Sequence, residues 1–234
     1  MDKDYIKTQA IVLEHIVYGE NSIILNVFSK EEGIIGIFIN NINSMKSIIE
    51  FNVLSVNDFT LKKGNQFYYL VDYDLINSNF NIRTNYRSEL FSLVIVDLIK
   101  SIFYNEVCNE KVYALILKTV IFLSKYSEDQ YALINAFILK LVSYLGYQPS
   151  MFYQNSHNRF YLDGGFVDSD GEYYQIDNLN AKYMIYLMKN RYDDIINKKY
   201  ESINENEILK ILLKYTMNNF GIEYLGSLGY LEYL

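Results

Sequence analysis

Residues 17–40 read VYGENSIILNVFSKEEGIIGIFIN, and their fold decides the architecture of the N-terminal part of the chain. The runs 10–17, 22–28 and 34–39 are dense in Ile, Val, Leu and Phe, side chains that suit a pleated, half-buried surface. Gly19 and Gly33 fall where the chain must reverse, and glycine enters positive φ without a steric penalty. The pattern predicts a meander of three strands.

Further along, FNVLSVNDFTL (51–61) and QFYYLVDYDLI (66–76) flank Lys62-Lys63-Gly64-Asn65, a hairpin signal. Five short strands with few helical signals predict a small barrel, closed or nearly so, because closure removes exposed strand edges. The period changes near Asn81. Segments 87–104, 111–126 and 130–145 carry apolar residues at helical spacing: Leu90, Val94, Leu98 and Ile102, then Leu115, Thr119, Phe122 and Leu123, then Ile134, Phe137, Ile138 and Leu141. Short polar connections between them suit neighbouring antiparallel helices. Gly146 and Pro149 supply a stop signal. The stretch RFYLDGGFVDSDGEYYQI predicts one or two hairpins at 159–176, and helical spacing returns at 180–191 and 205–219. The expected class is α+β: a β-barrel over 1–80, then an α-helical domain over 81–234 with a small β-hairpin insertion.

Composition narrows the function. The net charge of −7 argues against a broadly basic nucleic-acid binder, since phosphate contacts draw on Lys and Arg. The segment 1–80 itself holds six Lys and no Arg against ten acidic residues. Cys108 is the single cysteine, so neither a disulfide framework nor a four-cysteine zinc site is available. The N-terminus lacks the apolar core of a signal peptide. The most apolar helical stretch, 90–103, is interrupted by Asp97 and Lys100 and is shorter than the ~20 residues a bilayer needs. A cytoplasmic protein without membrane insertion is the expectation.

The run Ala10-Ile11-Val12-Leu13, followed by Tyr18-Gly19-Glu20, Phe28-Ser29 and Gly33, resembles the opening of the RecO recombination-mediator family of bacteria. Leu61-Lys62-Lys63-Gly64 leading to Leu75-Ile76 is similar to that family as well. So are Leu145-Gly146-Tyr147-Gln148-Pro149, Phe220-Gly221 and Leu225-Gly226-Ser227-Leu228. The set is collinear over nearly the whole chain, although no piece is specific alone. The resemblance implies an N-terminal OB-fold joined to a helical domain. It also implies binding and annealing of single-stranded DNA, and work with RecR and single-stranded DNA-binding protein (SSB) to load the RecA recombinase. Two departures stand out. The region matching the zinc ribbon of many members, 153–175, has no cysteine, so its hairpin is expected to fold without metal. The family's basic cluster after the third strand is reduced here, within 41–47, to Lys46 and Ser47.

An OB-fold binds single strands through a cationic groove and aromatic platforms. Lys46, Lys62, Lys63, Arg83 and Arg87 are the candidate cations, and Tyr68, within Phe67-Tyr68-Tyr69, is the candidate platform. The plain alternative is that Lys62-Lys63 is a solvated turn and that most of the aromatics pack inside. In the helical domain, Lys118, Lys125 and Lys140 could rim a groove for the acidic, Phe-ending tail of SSB, which the resemblance implies as a ligand. Solvated lysines on helix backs are the alternative. His15, His157 and Cys108 have no partner arranged for catalysis. Asp168-Ser169-Asp170-Gly171-Glu172 imitates part of a calcium loop but reads as a hairpin turn. Without a triad or ligand cluster, a hydrolase or metal enzyme is disfavoured, and no cofactor is expected. The alternative in another class is a protein-interaction adaptor that keeps the architecture and has lost direct DNA binding.

Overall fold

The computed structural model describes residues 4–40, 48–104, 109–128, 130–152, 158–167, 169–199 and 201–231. Lys46, Cys108, His157 and Asp168 lie outside them. Five strands come first: β1 (Tyr5–Tyr18), β2 (Ser22–Ser29), β3 (Gly33–Asn40), β4 (Val56–Lys63) and β5 (Tyr68–Asn77). They close a barrel in the order β1-β2-β3-β5-β4, with β4 returning to β1. The β3–β5 pair is parallel and the others are antiparallel.

Closure follows from the length of β1. Its first half pairs with β4, from Tyr5 to Ile11, and its second half with β2, from Ala10 to Tyr18. The register slips between Val12 and Glu14; such a bulge bends the strand so that it serves both neighbours. Alternation fills the inside with Ala10, Val12, Ile23, Leu25, Val27, Ile35, Ile37, Ile39, Phe59 and Leu61. Phe51, from the 3-10 turn Ile48–Phe51, joins that core.

Residues 51–61 therefore do not form one strand. The chain turns at Leu54, held at φ 64, and β4 begins at Val56. Three hydrogen bonds fix this backbone: Leu54 N–H to the Val12 carbonyl (2.7 Å), Val12 N–H to the Ser55 carbonyl (2.9 Å), and Asn79 Nδ2 to the Leu54 carbonyl (2.8 Å). Those tertiary partners stabilise a conformation that leucine seldom adopts.

After the 3-10 turn Phe80–Thr84 come α1 (Tyr86–Ile102), α2 (Glu110–Lys125) and α3 (Gln130–Tyr144). The hairpin β6 (Arg159–Tyr161) and β7 (Tyr173–Gln175) precedes α4 (Asn178–Lys189), α5 (Tyr192–Ile196), α6 (Glu205–Phe220) and the short α7 (Leu228–Leu231). Contacts divide the chain into two compact units, 1–84 with 95–120 and 85–94 with 121–234.

In the first unit the apolar outer positions Ile11, Phe28 and Val56 are also buried. Phe28 meets Phe103 at 5.1 Å and stacks with Tyr113 at 6.1 Å between ring centres. Lys100 pairs with Glu14 at 2.8 Å, and this hydrogen bond holds the carboxyl below its usual range.

In the second unit α3 is buried on nearly every side, from Ala132 to Val142, and α4, α5 and α6 pack around it. Capping marks the helix ends. Asp177 Oδ1 accepts from Asn180 N at 2.7 Å, and Asn204 Oδ1 from Glu207 N at 3.2 Å. Gly221 ends α6 at φ 63, the left-handed conformation that lets its N–H reach the Met217 carbonyl. The hairpin is held by Phe160 against Phe166 and Tyr215, and by Asn218 and Asn219 donating to the Leu162 carbonyl. Among the described residues no helix is long and apolar enough to cross a membrane.

Candidate nucleic-acid interface

Cross-strand partners share a face of a sheet, so the barrel's register identifies which side chains form one outward tier. Tyr5 lies opposite Lys62, Lys62 opposite Tyr69, Tyr69 beside Phe38, Phe38 opposite Ile24, and Ile24 opposite Ile16. The tier runs right round the barrel because β1 supplies both its first and its last member. Tyr18 adds its ring edge-on to Phe38 at 5.5 Å, and Phe38 meets Tyr69 edge-on at 5.9 Å. Tyr5, Tyr18 and Tyr69 are 43%, 59% and 45% exposed, so their rings stay open to solvent.

The β4–β5 turn supports this tier. Gly64 N–H donates to the Phe67 carbonyl at 3.1 Å, and the Tyr69 ring rests against Gly64. Phe67 lies over Gly36 of β3; an added Cβ there would come 2.8 Å from its Cδ1. Lys62 and Lys63 are both exposed, and Lys63 N–H is tied to the Asp4 carbonyl at 2.8 Å. The arrangement offers one cation, Lys62, between aromatic faces, with Lys63 exposed beside it at the strand end, which suits a phosphate backbone with unstacked bases.

The other sequence-derived residues sit elsewhere. Tyr68 turns its ring against the barrel core and points its hydroxyl at the Glu32 carboxylate, 3.5 Å away; burial pushes its phenol up. Its neighbour Tyr69 is the exposed ring of the two. Arg83 is half-buried and donates to the Val53 carbonyl at 3.2 Å, tying the turn after β5 to the turn before β4. Arg87 belongs to the second unit, where its guanidinium lies 5.7 Å over the Tyr131 ring.

The three helix lysines divide between the two units. Lys118 falls in the first unit, and Lys125 and Lys140 in the second. Lys125 sits 5.2 Å over the Tyr126 ring. Lys140 Nζ donates to the carbonyls of Met188 (3.0 Å) and Asn190 (2.8 Å), closing the C-terminal end of α4. Replacing it, Lys140→Met, is expected to cost about 1.5–3 kcal/mol of stability, the range for losing hydrogen bonds to a charged group. A urea denaturation curve checks this; an unchanged midpoint would show that α4 does not depend on this cap.

A cleft of about 510 Å³ in the second unit lies among Leu162, Glu172, Lys214, Met217, Asn218 and Glu223. Its ammonium, Lys214, is held by the Tyr174 hydroxyl, a hydrogen bond that raises the amine's pKa. The residues lining this cleft come from α6, the segment just after it and the hairpin, a juxtaposition that sequence spacing does not reveal. His15 is exposed on β1. Ser169 donates to Asp163, and Gly171 N–H to Ser169 Oγ (3.1 Å), so the described part of the calcium-like stretch is a hydrogen-bonded turn. Among the described residues no three His, Cys, Asp or Glu side chains are grouped to hold a metal. The zinc of related hairpins does not fit here, because 153–175 offers no thiolate.

Residues 1–79 match the family model described as "Recombination protein O N terminal". A protein named DNA repair protein RecO from Thermoanaerobacter sp. is 24% identical over 233 residues, covering 94% of this chain and 94% of its own. Its namesake from Alkaliphilus metalliredigens is 25% identical, over 91% of this chain and 92% of its own. The one from Acetivibrio thermocellus is 26% identical over a shorter stretch, 62% of this chain and 59% of its own length. The match of the family model to the barrel, and a similarity to proteins named DNA repair protein RecO that continues through the helices and hairpin, are what the chain shares with known proteins.

Proposed function

We propose that this protein is a recombination mediator that binds and anneals single-stranded DNA and, with RecR, helps load RecA on DNA coated by SSB. The observation that carries the DNA part is the outward tier with Lys62 between Tyr5 and Tyr69 and Phe38 beyond. Stacking on exposed aromatics is tolerant of sequence, and lysines beside them meet the phosphates. No chemical step is involved; the protein works by differential binding, as a cytoplasmic accessory factor. The barrel is the DNA-binding part of this reading, with Lys46 as a further contact. The helical part receives the SSB tail, and the cleft at Lys214 adds one candidate seat for it.

The adaptor reading has its own support in the exposed carboxylates Asp58, Asp72 and Asp74 on the same barrel. A labelled single-stranded oligonucleotide titrated at rising salt, with and without RecR, separates the two. Direct binding by the protein alone is expected. Replacing Lys62 and Lys63 with alanine is expected to flatten the log–log salt dependence by about 0.7 per lysine, the counterion release of one single-strand phosphate contact. Binding only in the presence of RecR would favour the adaptor, and no binding under any condition would remove the direct role on DNA.

A further inference from the structure

β5 runs beside β3 for only two register pairs, Ile37 with Tyr68 and Phe38 with Tyr69, while its ladder with β4 continues to Asn77. Where β3 and β5 part, a cleft of about 320 Å³ opens, lined by Phe38, Ile39, Asn40, Leu70, Asp72 and Tyr73 among others. Tyr73 N–H donates to the Asp72 carboxylate at 3.0 Å, so it faces away from β4. The alternation of an antiparallel ladder puts the Leu75 amide on the same outer edge. Among the described residues no backbone group pairs with that edge beyond Tyr69.

The edge is acidic. Asp72 and Asp74 are exposed on β5, and Asp58 stands directly opposite Asp74 across the ladder. Like charges facing each other destabilise a sheet. Gln9 Nε2 donates to Asp58 at 3.0 Å, but among the described residues the ion pairs Lys30–Glu110 and Lys100–Glu14 leave all three carboxylates unneutralised.

We infer that this edge receives an extended basic segment of a partner protein as an added strand. Main-chain hydrogen bonds to the Leu75 amide, and to the Tyr73 amide once Asp72 releases it to meet the incoming cations, supply the register, as in strand addition generally. The segment's inward side chains enter the cleft beside Leu70 and Tyr73. Its outward lysines or arginines meet Asp72 and Asp74, relieving a repulsion that the free protein bears. Charge selects this occupant. A polynucleotide is repelled by the same carboxylates, and a second copy of the edge would bring its own acids against them. The cleft adjoins the DNA tier, whose Phe38 and Tyr69 also line it, while the lysines of that reading, Lys62 and Lys63, lie at the other end of the ladder.

The test uses the full chain and a short peptide alternating lysine and valine, titrated while amide exchange is followed by NMR. Saturable binding that protects the Leu75 amide is expected. A peptide of the same charge, N-methylated at the amides that must bond, is expected to bind at least about tenfold more weakly. The double substitution D72N/D74N is expected to weaken the unmodified peptide by about tenfold while raising the melting temperature, so loss of binding cannot be mistaken for unfolding. Binding that leaves Leu75 unprotected, tolerates N-methylation or survives the double substitution would overturn strand addition. A dimer of the protein alone that protects the same amide would assign the edge to a second copy and overturn it equally.

Discussion

Replacing Tyr69 with alanine is expected to weaken single-strand binding by about ten- to a hundredfold, the loss of one base-stacking platform, at a cost in stability of about 1 kcal/mol for the aromatic edge contact it gives up. Tyr69 stands between Lys62 and Phe38 in the outward tier and keeps nearly half its surface in solvent. Tyr68→Ala is expected to do the reverse. That ring packs against the barrel core, so its removal costs about 2 kcal/mol or more of stability and touches DNA affinity little. Anisotropy with a labelled oligonucleotide and urea denaturation, run on both variants, read the two quantities separately. If Tyr69→Ala binds DNA as the parent does while Tyr68→Ala loses affinity and keeps its stability, the stacking face is the other one.

The contrast between these neighbours shows where sequence reading stops. The alternation of Ile23, Leu25 and Val27 on β2 and of Ile35, Ile37 and Ile39 on β3 is visible in the letters, and the structure buries those residues. β5 offers no such alternation. Its register slips between Thr60 and Leu61 and again between Val56 and Asn57, and each slip flips the face of every residue beyond it. Which of Phe67, Tyr68 and Tyr69 faces out therefore depends on bulges that leave no mark in composition. Lys140 was illegible for another reason. A lysine on a helix reads as solvated, and only the fold brings the α4 carbonyls under its ammonium. The facing of Asp58 and Asp74 likewise exists only once the register is known. The helices were clearer, since α1, α2 and α3 begin and end within two residues of their apolar periodicity.

Phe51→Ala is expected to be the most destabilising single change in the barrel, at about 3–5 kcal/mol, a large part of the ~5–15 kcal/mol that holds a typical domain folded. The residue is 1% exposed and packs on Phe59 at 6.3 Å and Tyr73 at 4.7 Å between ring centres. The cavity would also loosen its neighbour Glu50, whose carboxylate accepts the Tyr73 hydroxyl and whose carbonyl accepts Ser55 Oγ (2.9 Å) and Asn57 Nδ2 (3.3 Å). A second readout distinguishes local loosening from global weakness. Burial, with help from Glu50, pushes the Tyr73 phenol from 10.0 up to about 12. The unfolded chain sheds this proton first as pH rises, so stability present below pH 10 is lost progressively towards pH 12. Water admitted by the alanine should lower the folded phenol's pKa and flatten that alkaline loss. Ultraviolet titration of tyrosinate together with denaturation at several alkaline pH values measures both effects. A cost below about 1 kcal/mol with the alkaline loss unchanged would mean that Phe51 adds little to the barrel core, and that the turn at Leu54 holds β4 in register without it.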